Sequence, residues 1–292
     1  MPIWEAVLLG VVQGLTEFLP ISSTAHLLVV RALLGHAHPE DAFTVVIQLG
    51  TLVAVFAYFR QDVARILRGV WIDLRSFKLG STEDGRIGWL IALGTVPAVA
   101  VGFLLKDWLK RTFFNLPSVA VVSIVFAVLM LAAEGWALRR VLRGKPPREQ
   151  TEIGWFDALW VGLWQACALM PGGSRSGTTI TGGLFAGLTR TTAARFSFLL
   201  SLPVILGAGL KELADEYKKL GSRIAGEPQS LFASGDQVAA LITGTLVSAV
   251  VGYVSIAFLL RFLQKYSTAV FVGYRLIMGA AILLLLATAV LS

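Results

Sequence analysis

Charge and sulfur are both scarce in this chain. Only 15% of its 292 residues are charged while 56% are apolar, which leaves too little polar surface to cover a water-soluble core. The single cysteine, Cys167, excludes an internal disulfide and cannot by itself build a zinc site. The leading residues MPIWEAVLL lack the basic region and small-residue cleavage pattern of a removable signal. The N-terminal segment is therefore expected to belong to the fold. The formal charge of +7 would suggest acidic partners in a soluble protein. Here most Lys and Arg fall between apolar runs, where they read as topology signals and headgroup contacts, not as a nucleic-acid surface.

What the chain does have is hydrophobic length. Runs near 42–59, 87–105, 118–138, 238–260 and 268–291 are long enough to cross a bilayer as helices, and 196–210 is a shorter candidate extended by its flanks. The sequence is that of an all-α integral membrane protein. Two further apolar segments, 3–34 and 155–189, are interrupted by Pro, Gly and hydroxyl residues.

These interruptions repeat. LGVVQGLTEFLPISS (9–23) lies over VGLWQACALMPGGSRS (161–176), and LIALGTVPAVAVGF (90–103) over LITGTLVSAVVGY (241–253). The pattern divides the chain into two membrane repeats, 1–150 and 151–292, which together form one membrane domain. Each repeat has a broken re-entrant segment and about three crossings. An odd number of crossings makes the repeats inverted, whereas a broken segment that crossed fully would make them parallel. Cations concentrate near 60–86, 139–148, 190–195 and 261–265, with fewer near 106–111 and 211–223. By the positive-inside rule the first group is cytoplasmic. That charge pattern fits both topologies, and inversion is preferred because matched broken helices mark a site at a repeat interface.

The first broken segment carries Glu17, Pro20, Ser22, Ser23, Thr24 and His26 at membrane depth, where ionisable groups are costly and face protein or a wet cavity. Pro20 ends one half-helix, and Ser22 or Ser23 can cap the next, whose N-terminal N–H groups and dipole then favour an anion. Ser23 and His26, three apart, are expected on one helix face, with His26 placed to activate the hydroxyl. The second segment, PGGSRSGTT, adds Arg175, a planar cation suited to phosphate oxygens, among glycines and hydroxyls. Blander roles exist for each: the hydroxyls as helix caps, Gly172, Gly173 and Gly177 as packing contacts, Gln48 and Gln165 as interhelical partners. Arg175 is hard to explain that way, and Arg275 in the last span raises the same question.

Two other motifs fail. Residues 172–179 have P-loop spacing, but Thr178 stands where the phosphate-binding Lys belongs and no strand precedes it. The acid-phosphatase signature needs a His where Thr181 stands.

QGLTEFLPISSTAHL and PGGSRSGTT, with FVGYRLIMG near the end, resemble the signature motifs of the undecaprenyl pyrophosphate phosphatases of the bacitracin-resistance type. Gln13 stands where many members have a Glu. The resemblance implies removal of the terminal phosphate of undecaprenyl pyrophosphate, recycling the lipid carrier for peptidoglycan synthesis and conferring bacitracin resistance. It implies a divalent cation, Mg²⁺ or Ca²⁺, and a multi-pass protein of the bacterial plasma membrane whose site faces outward. By the same resemblance Glu17 is the metal or acid/base carboxylate, Ser23 the nucleophile, His26 its proton-transfer partner and Arg175 the phosphate clamp. Ser22, Thr24, Gly172, Gly173, Ser174, Ser176, Gly177, Thr178, Gln13 and Arg275 form the expected phosphate-binding set. The expected partners are the polyprenyl pyrophosphate and membrane lipids, with a homodimer as a further expectation. The rival reading is a polyprenyl-phosphate flippase or proton-coupled transporter that uses Glu17 and His26 as a proton relay.

Overall fold

A computed structural model of the chain describes residues 1–35, 42–221, 231–232 and 234–288. Among them are twelve α-helices. The first half contains α1 (Ile3–Phe18), α2 (Ser23–Leu33), α3 (Ala42–Tyr58), α4 (Arg60–Ser76), α5 (Glu83–Leu104), α6 (Lys106–Phe113) and α7 (Leu116–Leu142). The second contains α8 (Trp155–Cys167), α9 (Arg175–Phe185), α10 (Arg190–Gly221), α11 (Gly235–Lys265) and α12 (Ala269–Ala287). No strand forms among the described residues. Helices α5, α7, α10, α11 and α12 are each long and apolar enough to span a membrane, and α3 passes that test joined to α4.

Helix starts follow local chemistry. Thr82, Asn115 and Ser234 each accept a bond from a backbone N–H in the first turn of α5, α7 and α11. Five segments expected as loops are wholly or largely helical, 190–195 as the start of α10 and 261–265 as the end of α11. Residues 60–76 form α4, bent 81° from α3, with Leu67, Trp71 and Leu74 exposed between its charged residues, the pattern of a helix lying in the membrane interface. Residues 106–113 form α6, and α10 runs on to Gly221, through most of the expected 211–223 loop. Of the last expected span, 289–291 lie outside the described residues, as do 222 and 223 of that loop.

The halves interlock. Helix α1 packs along α11 and α8 along α5, while α7 packs on α12. Small residues allow the first two approaches: a Cβ on Gly10 would sit 2.6 Å from the Gly244 carbonyl oxygen, and one on Gly162 would sit 2.3 Å from that of Gly94. The contacts Gly10–Gly244 and Gly14–Gly252 make α1 parallel to α11, and Gly94–Gly162 and Gly102–Leu169 make α8 parallel to α5. Arg148 joins both ends of the second broken segment, donating to Asp157 at the start of α8 and to the Ala186 carbonyl just past α9. That segment therefore enters and leaves at one end. The same end holds the start of α5, where Arg86 donates to the Thr151 carbonyl, and the start of α10, where Arg195 pairs with Asp62 of α4 at 2.9 Å. Helix α8 thus rises from the cation-rich end, whereas α1, parallel to α11, runs toward it. The repeats are inverted, a point that the charge pattern left open.

Candidate active site

Each broken segment turns on a serine with positive φ, Ser22 at +74° and Ser174 at +63°. These are two of the three non-glycine residues in that region among the described ones. Such a backbone costs on the order of 1–3 kcal/mol and persists only where its surroundings enforce it. Leu19, extended before Pro20, stops α1. Ser22 then caps α2 through the Ala25 N–H, and Ser174 caps α9 through the Gly177 N–H at 3.2 Å. The two half-helices therefore present their N-termini to a common cavity of about 190 Å³. N–H groups of a helix's first turn have no intrahelical acceptor, so both ends favour negative charge.

Glu17 is the centre of the polar contacts. Its Oε2 accepts from Ser23 Oγ at 2.7 Å and from Gln13 Nε2 at 2.8 Å, and its Oε1 pairs with Arg175 Nη2 at 2.5 Å. The Glu17–Arg175 contact crosses from one repeat to the other, with both side chains largely shielded. Ser22, Ser23, Thr24, Gln48, Gly172, Ser174 and Arg175 line the cavity, with Leu169, Met170, Val204, Ile205 and Ala208 as its apolar wall. A hydroxyl on a carboxylate, with a guanidinium alongside and two helix N-termini facing in, is an arrangement for an anionic substrate attacked by an oxygen nucleophile.

Residues 6–281 match the family described as bacitracin resistance protein BacA. The chain belongs to that family. It is also similar, end to end, to curated relatives named undecaprenyl-diphosphatase. It is 46% identical to that of Chlorobium phaeobacteroides strain BS1 (100% of each chain covered) and 48% to that of Chlorobium limicola (100% of this chain and 99% of the relative). The identity to that of Prosthecochloris aestuarii is 46%, over 99% and 98%.

Within this family framework several expectations need correction. His26 does not meet Ser23. Its Nδ1 lies 2.7 Å from the Ser22 carbonyl oxygen and its Nε2 2.5 Å from the Tyr274 hydroxyl, on whose ring it stacks. Arg275 is fully buried and does not line the cavity. Its guanidinium donates to the carbonyls of Ser123, Gly172, Gly173 and, at 3.5 Å, Pro20, so it ties both breaks to α7. Gly173, Ser176, Gly177 and Thr178 also lie outside the cavity lining. Ser176 Oγ donates to the Leu19 carbonyl across the repeat interface, and Thr178 Oγ1 bonds back to the Arg175 carbonyl. Gly172 needs φ +90°, and a Cβ there would sit 2.3 Å from the Val119 carbonyl oxygen. Gln13 is fully buried behind Glu17, and its amide supports the carboxylate from outside the cavity. Gln48, expected only as an interhelical partner, faces the cavity. Tyr274 was not singled out, although it stands beside Arg275 in FVGYRLIMG.

Proposed function

We propose that this chain is an undecaprenyl-diphosphatase, converting undecaprenyl pyrophosphate and water to undecaprenyl phosphate and inorganic phosphate in the bacterial plasma membrane. The observation that carries this is the meeting of Glu17, Ser23 and Arg175, drawn from both repeats, at one cavity in a chain whose full-length relatives bear that name. The terminal phosphate enters between the N-termini of α2 and α9, and Arg175 turns its free edge to the phosphate oxygens. Ser23 Oγ attacks the terminal phosphorus as its proton passes to Glu17. The Oγ–P bond forms, the anhydride P–O bond breaks, and lipid monophosphate leaves. Water then releases phosphate from Ser23, with Glu17 handling the proton. Phosphoryl transfer asks mainly for positioning and for cations over the equatorial oxygens, and these residues supply both.

A divalent cation, Mg²⁺ or Ca²⁺, fits as a shared ion. Among the described residues no three His, Cys, Asp or Glu side chains lie together, and Glu17 is the one carboxylate lining the cavity. Glu17 would hold the ion, and phosphate oxygens and water would supply its remaining ligands, as at magnesium sites that use one or two carboxylates. Bound there, it would draw charge off the phosphate. The cavity lies on the α10 side beyond Pro203, away from the cation-rich end, which supports a mouth at the outer face. The relay reading lacks support, because Glu17 and His26 engage separate partners.

The deciding experiment is phosphate release from undecaprenyl pyrophosphate by purified protein, comparing Ser23→Ala with Ser22→Ala. Loss of a cap costs about 0.5–2 kcal/mol of stability, whereas loss of the nucleophile removes the reaction path. Ser22→Ala should keep measurable turnover and Ser23→Ala should not. Substantial turnover in folded Ser23→Ala would make water the attacker.

A further inference from the structure

A second cavity, of about 540 Å³, lies at the other end of α9, between the C-terminal turns of α7 and α11 and the start of α10. The length of α9 puts it about 16 Å from Arg175 along the helix axis, at the cation-rich end of the molecule. We propose that this cavity binds the phosphate headgroup of an anionic membrane lipid in the leaflet opposite the catalytic mouth.

The polar half of the cavity centres on Arg140. Its Nε is buried without a hydrogen-bond partner. The guanidinium lies so close to Gly187 that a Cβ there would sit 2.5 Å from Cζ, and Gly187 has φ +84°. The ordinary role for an arginine in the last turn of a helix is to cap that helix's carbonyls. Those roles are filled by others: the Arg139, Arg140 and Val141 carbonyls accept from Arg143, Gly144 and Lys145 N–H groups, and the Phe185 and Ala186 carbonyls accept from Trp136 and Arg148. The arginine is thus held in place with its buried N–H unspent, a group that costs free energy until an acceptor arrives. Lys145 lines the same cavity. The remaining charges there are engaged: Arg190 pairs with Glu134 at 2.6 Å, and Glu149 accepts from the Thr192 hydroxyl at 2.7 Å. The N–H groups opening α10 beside Thr189 add a weak preference for an anion.

The other half is apolar. Leu184, Leu188 and Leu263 form the floor, and Leu138 and Val141, 61% and 50% exposed, continue it to the lipid-facing side of α7. A soluble anion would use the cations and leave this wall bare, whereas a lipid uses both, with its phosphate on Arg140 and Lys145 and an acyl chain along α7.

The test uses the full chain, delipidated in detergent, with dioleoyl phosphatidic acid as probe and retention read by native mass spectrometry. The proposal predicts that Arg140→Gln/Lys145→Gln loses one bound lipid, with affinity down about tenfold or more, while phosphate release from the first cavity is unchanged. Equal retention by wild type and the double variant overturns it. Inorganic phosphate at matched concentration should leave the lipid in place, and displacement would overturn the lipid assignment in favour of a soluble anion. Should the double variant fail to fold, Arg140→Lys decides, because it keeps the charge and loses the planar fork; unchanged retention in it also overturns the proposal.

Discussion

At the level of single residues, the site shows how a helix break changes which side chains meet. Helical spacing paired Ser23 with His26, yet side chains lean toward the N-terminus of their helix. Ser23, at the first position of α2, therefore reaches back across the break to Glu17, six residues away. His26 reaches back one turn to the Ser22 carbonyl. The motif disclosed the participants, and only the path of the chain through Pro20 decided the pairs. Arg175 was legible because an arginine between glycines at membrane depth has few structural uses, and the structure puts it on Glu17. Arg275 carried the same signal but is spent on backbone carbonyls. Arg175→Lys keeps the charge and loses the guanidinium fork, so turnover should fall by orders of magnitude with the melting temperature in detergent little changed. Near-normal turnover in that variant would rule out the proposed role of Arg175 as clamp.

Among the helices, the spans were the easiest part to read, since hydrophobic length survives any tertiary detail. The expected 42–59, 87–105 and 118–138 became α3, α5 and α7 with ends moved by a few residues. Helix α4 was missed because an interfacial helix is too charged to register as a span. Packing between elements depends on single glycines. At Gly162 any side chain would press on the Gly94 backbone, while Gly207 in α10 has nothing within 4 Å. Gly162→Leu should lower the melting temperature through overpacking worth about 1–3 kcal/mol, and Gly207→Ala should not. Equal melting of the two would mean that α5 and α8 can separate freely. Asp73 ends α4 by accepting from the Ser81 hydroxyl, the Gly80 and Ser81 N–H groups and the Trp89 indole. These bonds, the Ser81 hydroxyl first, hold its carboxyl below the ordinary 3.8. A depressed carboxyl stabilises the fold above its unfolded value, and that contribution fades as pH falls through the folded one. Asp73→Asn should therefore melt lower than wild type by a constant margin from pH 7 to 5, and the margin should shrink below about pH 4. A margin independent of pH down to acid unfolding would show that the charge plays no part.

For the molecule as a whole, the duplication was visible in aligned Gln, Pro and Ser positions, and the matched broken helices favoured inversion. Loop cations fit both topologies, and the direction is fixed by which glycines touch and by the bonds of Arg148, Arg86 and Arg195 at the cation-rich end. The duplication also makes the cavity nearly neutral, since one repeat brings Glu17 and the other Arg175. A pyrophosphate carries several negative charges, more than that pair and two helix ends offset, which is why a divalent ion is expected. Chelator should abolish phosphate release and added Mg²⁺ or Ca²⁺ should restore it; full activity in chelator would show that the protein's own cations suffice. The position of Arg275 bears also on biosynthesis. Helix α12 is the last helix among the described residues, so both breaks leave the ribosome well before the arginine whose guanidinium holds their carbonyls. Until α12 docks beside α7, those carbonyls lack their donor at membrane depth, where an unmet polar group is costly. A nascent chain is thus left with both breaks untied until α12 has been made and docked, and a chain stalled before α12 would enter the membrane without phosphatase activity.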